Sequence, residues 1–295
     1  MQSVILIGGS GFLGSEVRAE LLAQGYKVFA TENKAQIEHA ENIVILSGGI
    51  KAITYSKIKE INPVAIYHCG RPTFSRLRKL GRKLASYKAA KLNRNLVKAI
   101  KRSGVNVPLV FASGSLAYGN SKTAHFEDSP ISPISYSKQY ITGERPLLRA
   151  TNTENYPVLI LRFPWLIGNG SWFKWFYHES AKEMGKIPIF GDGQNHMSII
   201  SVTDAAKLMV EYPKQFKESG VYNIFSPFHP NQLDFLKLIA SKYSCDVVDY
   251  KQLYPNGLES AVIEAFESNI IMDSKNKELL DNYNFKSIVD SIDHF

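Results

Sequence analysis

The stretch Val4-Ile5-Leu6-Ile7-Gly8-Gly9-Ser10-Gly11-Phe12-Leu13-Gly14 decides how the chain is to be read. Four apolar residues in a row suit a buried strand, and residues 15–24 carry Val17, Leu21 and Leu22 at the spacing of a helix with one inward face. Between strand and helix stand glycines at 8, 11 and 14. The first allows a tight turn, the second lets backbone approach a pyrophosphate, and the third lets the helix pack closely on the strand. The start of the helix then offers unpaired N–H groups and the positive end of its dipole to the phosphates. Three spaced glycines alone say little, and it is the strand–turn–helix setting that gives them meaning. The expected cofactor loop is Gly8, Ser10, Gly11, Phe12, Leu13 and Gly14.

Outward from this loop, Gly25 closes the helix and residues 26–31 read as a second strand. Apolar runs at 43–46, 64–68, 108–112 and 158–162 supply four more strands. Helical segments separate them, the longest at 77–101 and another after Ser135. The alternation predicts an α/β protein with a Rossmann-type doubly wound parallel sheet. After Pro164 the aromatic content rises, glycine turns appear at Gly168, Gly170, Gly191 and Gly193, and the alternation loosens. The expected division is a dinucleotide-binding domain at 1–165 and a smaller, mainly substrate-binding α/β domain at 166–295. Glu32 ends the second strand, 18 residues after Gly14. A carboxylate there accepts hydrogen bonds from both ribose hydroxyls and repels a 2′-phosphate, which favours NAD, while Lys34 keeps NADP open.

The composition, 44% hydrophobic and 21% charged over 295 residues, is that of an ordinary globular protein. Cys69 and Cys245 are too few for a disulfide scaffold, so a reducing, cytoplasmic setting is expected. The first residues lack the basic start and cleavage site of a secretory signal, and no window approaches 18 apolar residues, so no membrane span is expected. No metal ligand is expected either. The net charge of +8 belongs to one segment. Between Arg71 and Arg102 lie 12 Lys/Arg and no Asp/Glu, which leaves 23 basic and 27 acidic residues elsewhere. Leu77, Leu80, Leu84, Ala89, Leu92, Leu96 and Ile100 mark a buried stripe along that helix. Its cations form either a solvated surface or a dock for an anionic partner: an acyl carrier, a phosphorylated substrate or nucleic acid. Nucleic acid is disfavoured because no recognition-helix module accompanies the charge.

Several motifs in order give the chain its resemblance to a known family. Gly8-x-x-Gly-x-x-Gly14 is followed by Phe111-Ala-Ser-Gly-Ser-Leu-Ala-Tyr-Gly119, by Tyr136 at a helix start, by Arg162-Phe-Pro-Trp-Leu-Ile-Gly168, and by Gly191-Asp-Gly193 through Asp204. Together they resemble the extended short-chain dehydrogenase/reductases, the NAD-dependent epimerase/dehydratase family, nearly end to end. The resemblance implies that Tyr136 is the acid/base, with a Lys four positions later lowering the phenol pKa and holding the nicotinamide ribose. It also implies a Ser or Thr that binds the substrate oxygen.

The chain departs from that pattern at four positions. Glu144 matches the Glu eight positions after the tyrosine, which fixes the register, and the position for Lys holds Tyr140. Lys138 is two residues from Tyr136 and faces another side of the helix. The hydroxyl position holds Gly114, with Ser113 and Ser115 on either side as candidates. Trp165 and Met197 stand where nucleotide-sugar enzymes of the family carry an Asn and a diphosphate-binding Arg. Trp165, at the end of its strand, is therefore a candidate to line a less charged, apolar or aromatic substrate pocket, and Trp172 is a second one, although it opens an aromatic run at 172–177 that also suits core packing.

The expected function is an NAD(P)-dependent oxidoreductase or epimerase-like enzyme acting on a carbonyl or hydroxyl of a small substrate. Tyr136 serves as acid/base, Ser113 or Ser115 orients the oxygen, and Tyr140 contacts the ribose. A phenol without a neighbouring cation donates a proton better than it accepts one, so reduction is expected to outpace oxidation. The alternative is a catalytically inert dinucleotide-binding protein that reports redox state to a partner.

Overall fold

Strand β1 (Ser3–Ile7) and helix α1 (Phe12–Ala23) form on either side of the glycine loop. The computed structural model describes residues 1–32, 36–72 and 78–293. Lys34 and Leu77 lie outside them. Helix α1 ends in the left-handed turn expected at Gly25 (φ +77°), where the Gly25 and Tyr26 amides donate to the Leu22 and Leu21 carbonyls.

Six further strands join β1 in one sheet: β2 (Lys27–Glu32), β3 (Ile43–Ser47), β4 (Ala65–His68), β5 (Leu109–Gly114), β6 (Val158–Phe163) and β10 (Gly220–Asn223). Their order is β10-β6-β5-β4-β1-β2-β3, with β1 parallel to β2 and β4, β2 parallel to β3, and β4 parallel to β5. The order reverses between β1 and β4, and the crevice beyond the carboxyl ends of these two strands is where such sheets bind ligands. Both faces of β1 are buried, as a parallel sheet covered by helices requires. Ile5 and Ile7 join Ile66, Leu96, Ile100, Leu109, Leu147 and Ile160 in one core, each apolar side chain contributing about 1.5–3 kcal/mol.

Helix α2 (Tyr55–Ile61), capped by Thr54, and the long α3 (Arg78–Ser103) and α4 (Lys138–Thr153) complete the connections. The register of α3 corrects the expected stripe. Leu96 and Ile100 are buried, yet Leu80 (59% exposed), Leu84 (45%) and Tyr87 (59%) face solvent. Small and polar residues take the inward face instead: Ala85, Ser86, Ala90 and Asn93. The reason is the close approach of α4. A Cβ on Gly143 would lie 2.9 Å from that of Ala89, so no leucine fits between the helices there.

The chain divides into two units interleaved along the sequence. The first comprises 1–113, 139–162 and 206–222, the second 114–138, 163–205 and 223–295. One of these passages, between 162 and 163, lies three residues before the single boundary expected after 165. Residues 206–222, read from the sequence with the C-terminal domain, supply most of a helix and the strand β10 to the first unit.

The second unit holds two parallel pairs, β7 (Trp165–Ile167) with β9 (Ile199–Ser201) and β8 (Lys186–Ile189) with β11 (Asp246–Asp249). Its core is aromatic, built on Phe173, Tyr177, Phe190, Phe235 and Phe266. Among the described residues no helix is long and apolar enough to cross a membrane.

Candidate functional site: a dinucleotide loop and its surroundings

The glycine loop is built as its spacing requires. Gly8 sits at φ +83°, and a Cβ there would lie 2.6 Å from the backbone of Gly70. A Cβ on Gly14 would lie 2.0 Å from the Gly8 carbonyl oxygen, so only glycine lets α1 start this close to β1. A Cβ on Gly11 would meet only that same oxygen, at 3.3 Å, which leaves the face of the loop as bare backbone. Thr31 Oγ1 accepts from the Gly8 amide at 3.0 Å and Arg18 donates to the Gly9 carbonyl at 2.8 Å, tying the loop to β2 and α1. The first turn of α1 carries no acidic residue, so nothing there offsets the positive end of the helix. This cradle suits a pyrophosphate.

Glu32 closes β2 with its carboxylate held in place. Oε2 accepts from the Ile37 amide at 3.1 Å and Oε1 from the Ser47 hydroxyl at 3.4 Å.

At the end of β4 a relay of hydrogen bonds joins three elements. The Gly70 amide donates to His68 Nδ1 at 3.2 Å, which fixes the ring proton on Nε2. Nε2 lies 2.9 Å from Asn93 Oδ1 and donates to it, and the Asn93 amide donates to the Gly143 carbonyl of α4 at 2.9 Å. Burial pushes the His68 imidazole down to about 4, so the ring is neutral near pH 7. One residue past Gly70, the Arg71 guanidinium lies over the Tyr140 ring, 3.9 Å from its centroid. No feature of the sequence pairs these residues. Arg71 reads there as one cation among many.

Ser113 Oγ donates to Glu144 Oε2, and Arg162 Nη2 meets Glu144 Oε1 at 3.0 Å. Three motif residues, from β5, α4 and β6, thus form one cluster with Glu144 and Arg162 almost fully buried. The Ser113 proton is directed to Glu144, which leaves the Oγ lone pairs to accept a hydrogen bond. Ser115 is buried at the start of a short 3-10 turn, where its carbonyl accepts from the Tyr118 amide. Tyr136 lies in the turn at 135–137, two residues ahead of α4, and is half-buried.

Further motif residues lie in the second unit. Tyr118 donates to Asn223 at 2.6 Å and stacks on His125. Asp204 accepts from the Tyr283 hydroxyl and the Lys286 amide, each at 3.0 Å. Trp165 stacks on Phe266 with centroids 5.2 Å apart and meets Trp172 edge-on at 4.8 Å. Both tryptophans are half-buried against the aromatic core, so packing accounts for most of each ring. Met197 is fully buried and bridges to Ile270.

The chain is similar to several known proteins. A curated relative, the decarboxylating sterol-4-alpha-carboxylate 3-dehydrogenase of Dictyostelium discoideum, is 26% identical over 229 residues, which are 70% of this chain and 66% of that protein. The chain thus spans just under two thirds of that relative's length. The crystal structure of UDP-glucose 4-epimerase from Thermotoga maritima, with UDP-glucose, superposes with a TM-score of 0.79 at 18% identity, covering 99% of this chain and 96% of that one. That of dTDP-glucose 4,6-dehydratase from Bacillus anthracis, in complex with NAD, superposes at 0.76 and 18% identity, covering 100% and 97%. These structures share the fold. The profile of the NAD dependent epimerase/dehydratase family matches residues 4–224, and the chain belongs to that family.

Proposed function

We propose that the chain is an NAD-dependent enzyme that oxidises a hydroxyl or reduces a carbonyl on a small substrate that is not a nucleotide sugar. The observation that carries the cofactor reading is the bare glycine cradle at the start of α1, with the Glu32 carboxylate held at the end of the neighbouring strand. That carboxylate favours NAD over NADP because it accepts from ribose hydroxyls and repels a 2′-phosphate. The loop residues Gly8 to Gly14 hold the cofactor, which supplies or takes up hydride. Tyr136 moves the proton on the substrate oxygen, and Ser113 or Ser115 orients that oxygen.

Two observations support a substrate other than a nucleotide sugar. Met197 presents a thioether inside the core where an arginine would grip a diphosphate, and Trp165 is stacked on Phe266. Similarity to an enzyme named for a sterol carboxylate supports an apolar substrate. The deciding experiment follows NADH oxidation against a panel of aldehydes and ketones, and NAD reduction against the matching alcohols, beside UDP-glucose and dTDP-glucose. Saturable turnover of the carbonyl or alcohol set and none of the sugars is expected. NADH binding without turnover of anything would favour a redox-reporting protein, and turnover of either sugar would refute the substrate assignment.

A further inference from the structure

Position 140 holds a tyrosine where the family pattern calls for the lysine that binds the nicotinamide ribose. We propose that Arg71 takes over that contact, donating from β4's end to the ribose hydroxyls of the dinucleotide. The inference rests on the reading that the chain binds NAD, and it adds a cofactor-binding residue that no motif contains.

The argument begins with the stack. With its carbon 3.9 Å from the Tyr140 centroid, the guanidinium lies on the ring face within cation–π range. A positive charge therefore stands beside the side chain of residue 140 although that side chain carries none. Stacking occupies one face of the guanidinium plane and leaves the N–H groups along its edge directed outward. A lysine would offer a mobile point charge, whereas a stacked arginine offers a fixed fork of donors. Charge-assisted bonds from such a fork to hydroxyl oxygens are among the stronger polar contacts.

Placement supports the same reading. Arg71 follows Gly70, whose backbone is in contact with Gly8 at the head of the cofactor loop, so Arg71 leaves the sheet at the β1–β4 reversal. The relay Gly70–His68–Asn93–Gly143 fixes the base of this turn to α4 three residues beyond Tyr140. The arginine is thus pre-positioned by its own turn and by the helix that carries its aromatic platform, and binding has less side-chain freedom to remove. Arg71 is otherwise exposed, so it serves no core that would explain its place.

The test measures binding by calorimetry, without turnover, for three ligands: NADH, ADP-ribose and ADP. ADP lacks the second ribose. Arg71→Ala should weaken NADH and ADP-ribose by about 10- to 100-fold and ADP by less than about 2-fold. Tyr140→Ala removes the platform and should likewise weaken the two ribose ligands more than ADP. Unchanged melting temperatures without ligand would show that these surface changes leave the fold intact. Equal losses on ADP would overturn the ribose assignment, and no loss on any ligand would remove Arg71 from the cofactor site. Failure of the wild type to bind NADH would instead defeat the underlying NAD reading, so the two failures are distinguishable.

Discussion

Glu144 and Arg162 stand 18 residues apart in the sequence and meet at 3.0 Å with their side chains only 3% and 2% exposed. Ser113 adds its hydroxyl to the same carboxylate, so three motif positions from β5, α4 and β6 are tied together at one point.

The energetic consequence is asymmetric. Glu144→Ala leaves the Arg162 charge buried without its counter-ion and should cost about 3–5 kcal/mol of stability. Ser113→Ala removes one hydrogen bond to a charged acceptor and should cost about 1.5–3 kcal/mol. Urea unfolding of the two variants measures both. A Glu144→Ala loss no larger than that of Ser113→Ala would mean that the ion pair contributes little.

The glycines of the loop separate folding from binding. Gly14→Ala places a methyl 2.0 Å from the Gly8 oxygen and should destabilise the protein by about 2 kcal/mol or more, through the shift of α1 that it forces. Gly11 has ordinary extended backbone (φ −82°), so Gly11→Leu should fold with a near-wild-type melting temperature and lose NADH binding at least tenfold. Thermal scans and NADH titration would show it. A Gly11→Leu protein that binds NADH normally would place the pyrophosphate elsewhere.

For the chemistry itself, Tyr136→Phe keeps the ring and removes the proton. Turnover should fall by about 10²- to 10⁴-fold. NADH affinity should stay within about twofold, because the loop that holds the phosphates is untouched. Steady-state rates on the best substrate from the carbonyl panel, together with a binding isotherm, test this, and unchanged turnover would assign the proton to another residue.

His68 gives the protein a defined acid response. Its folded pKa, about 4, lies below the unfolded value of 6.5. Above pH 6.5 both states are neutral and the group adds no pH dependence. Between 6.5 and 4 only the unfolded chain takes up the proton, so stability falls by about 1.4 kcal/mol per pH unit, or about 3 kcal/mol in all. Protonation of Nδ1 would also set two donors face to face at Gly70. Urea midpoints of wild type and His68→Gln from pH 7.5 to 4 should diverge over this window, the variant showing the shallower slope. Parallel curves would contradict it.

Much of the fold was legible because local rules carry it. The loop glycines, the Gly25 helix stop and six of the seven strands in the main sheet follow from apolar runs and turn chemistry. The seventh strand, Gly220–Asn223, is short and mixed, and it gains its place only by pairing at the edge of a sheet laid down far earlier in the chain. Helix α3 misled for a related reason. Its leucines satisfy helical spacing, but the close approach of Gly143 to Ala89 decides which face turns inward. The candidate site divides the same way. The cradle is a local motif and was readable, whereas the Arg71–Tyr140 stack joins residues 69 positions apart. The use of Ser113 depends on Glu144, which in turn depends on Arg162.

The five passages of the chain between its two units bear on how the protein can be cut. A fragment ending at 165 would carry the whole cofactor loop and still lack the edge strand, Val221 of the core, and the Ser219 hydroxyl that accepts from the Val158 amide. Strand β6 would then become a bare edge with apolar residues on both faces, a template for aggregation. Neither half of this polypeptide is a portable module, and a single proteolytic nick after 165 would leave two pieces that have to stay together to remain folded.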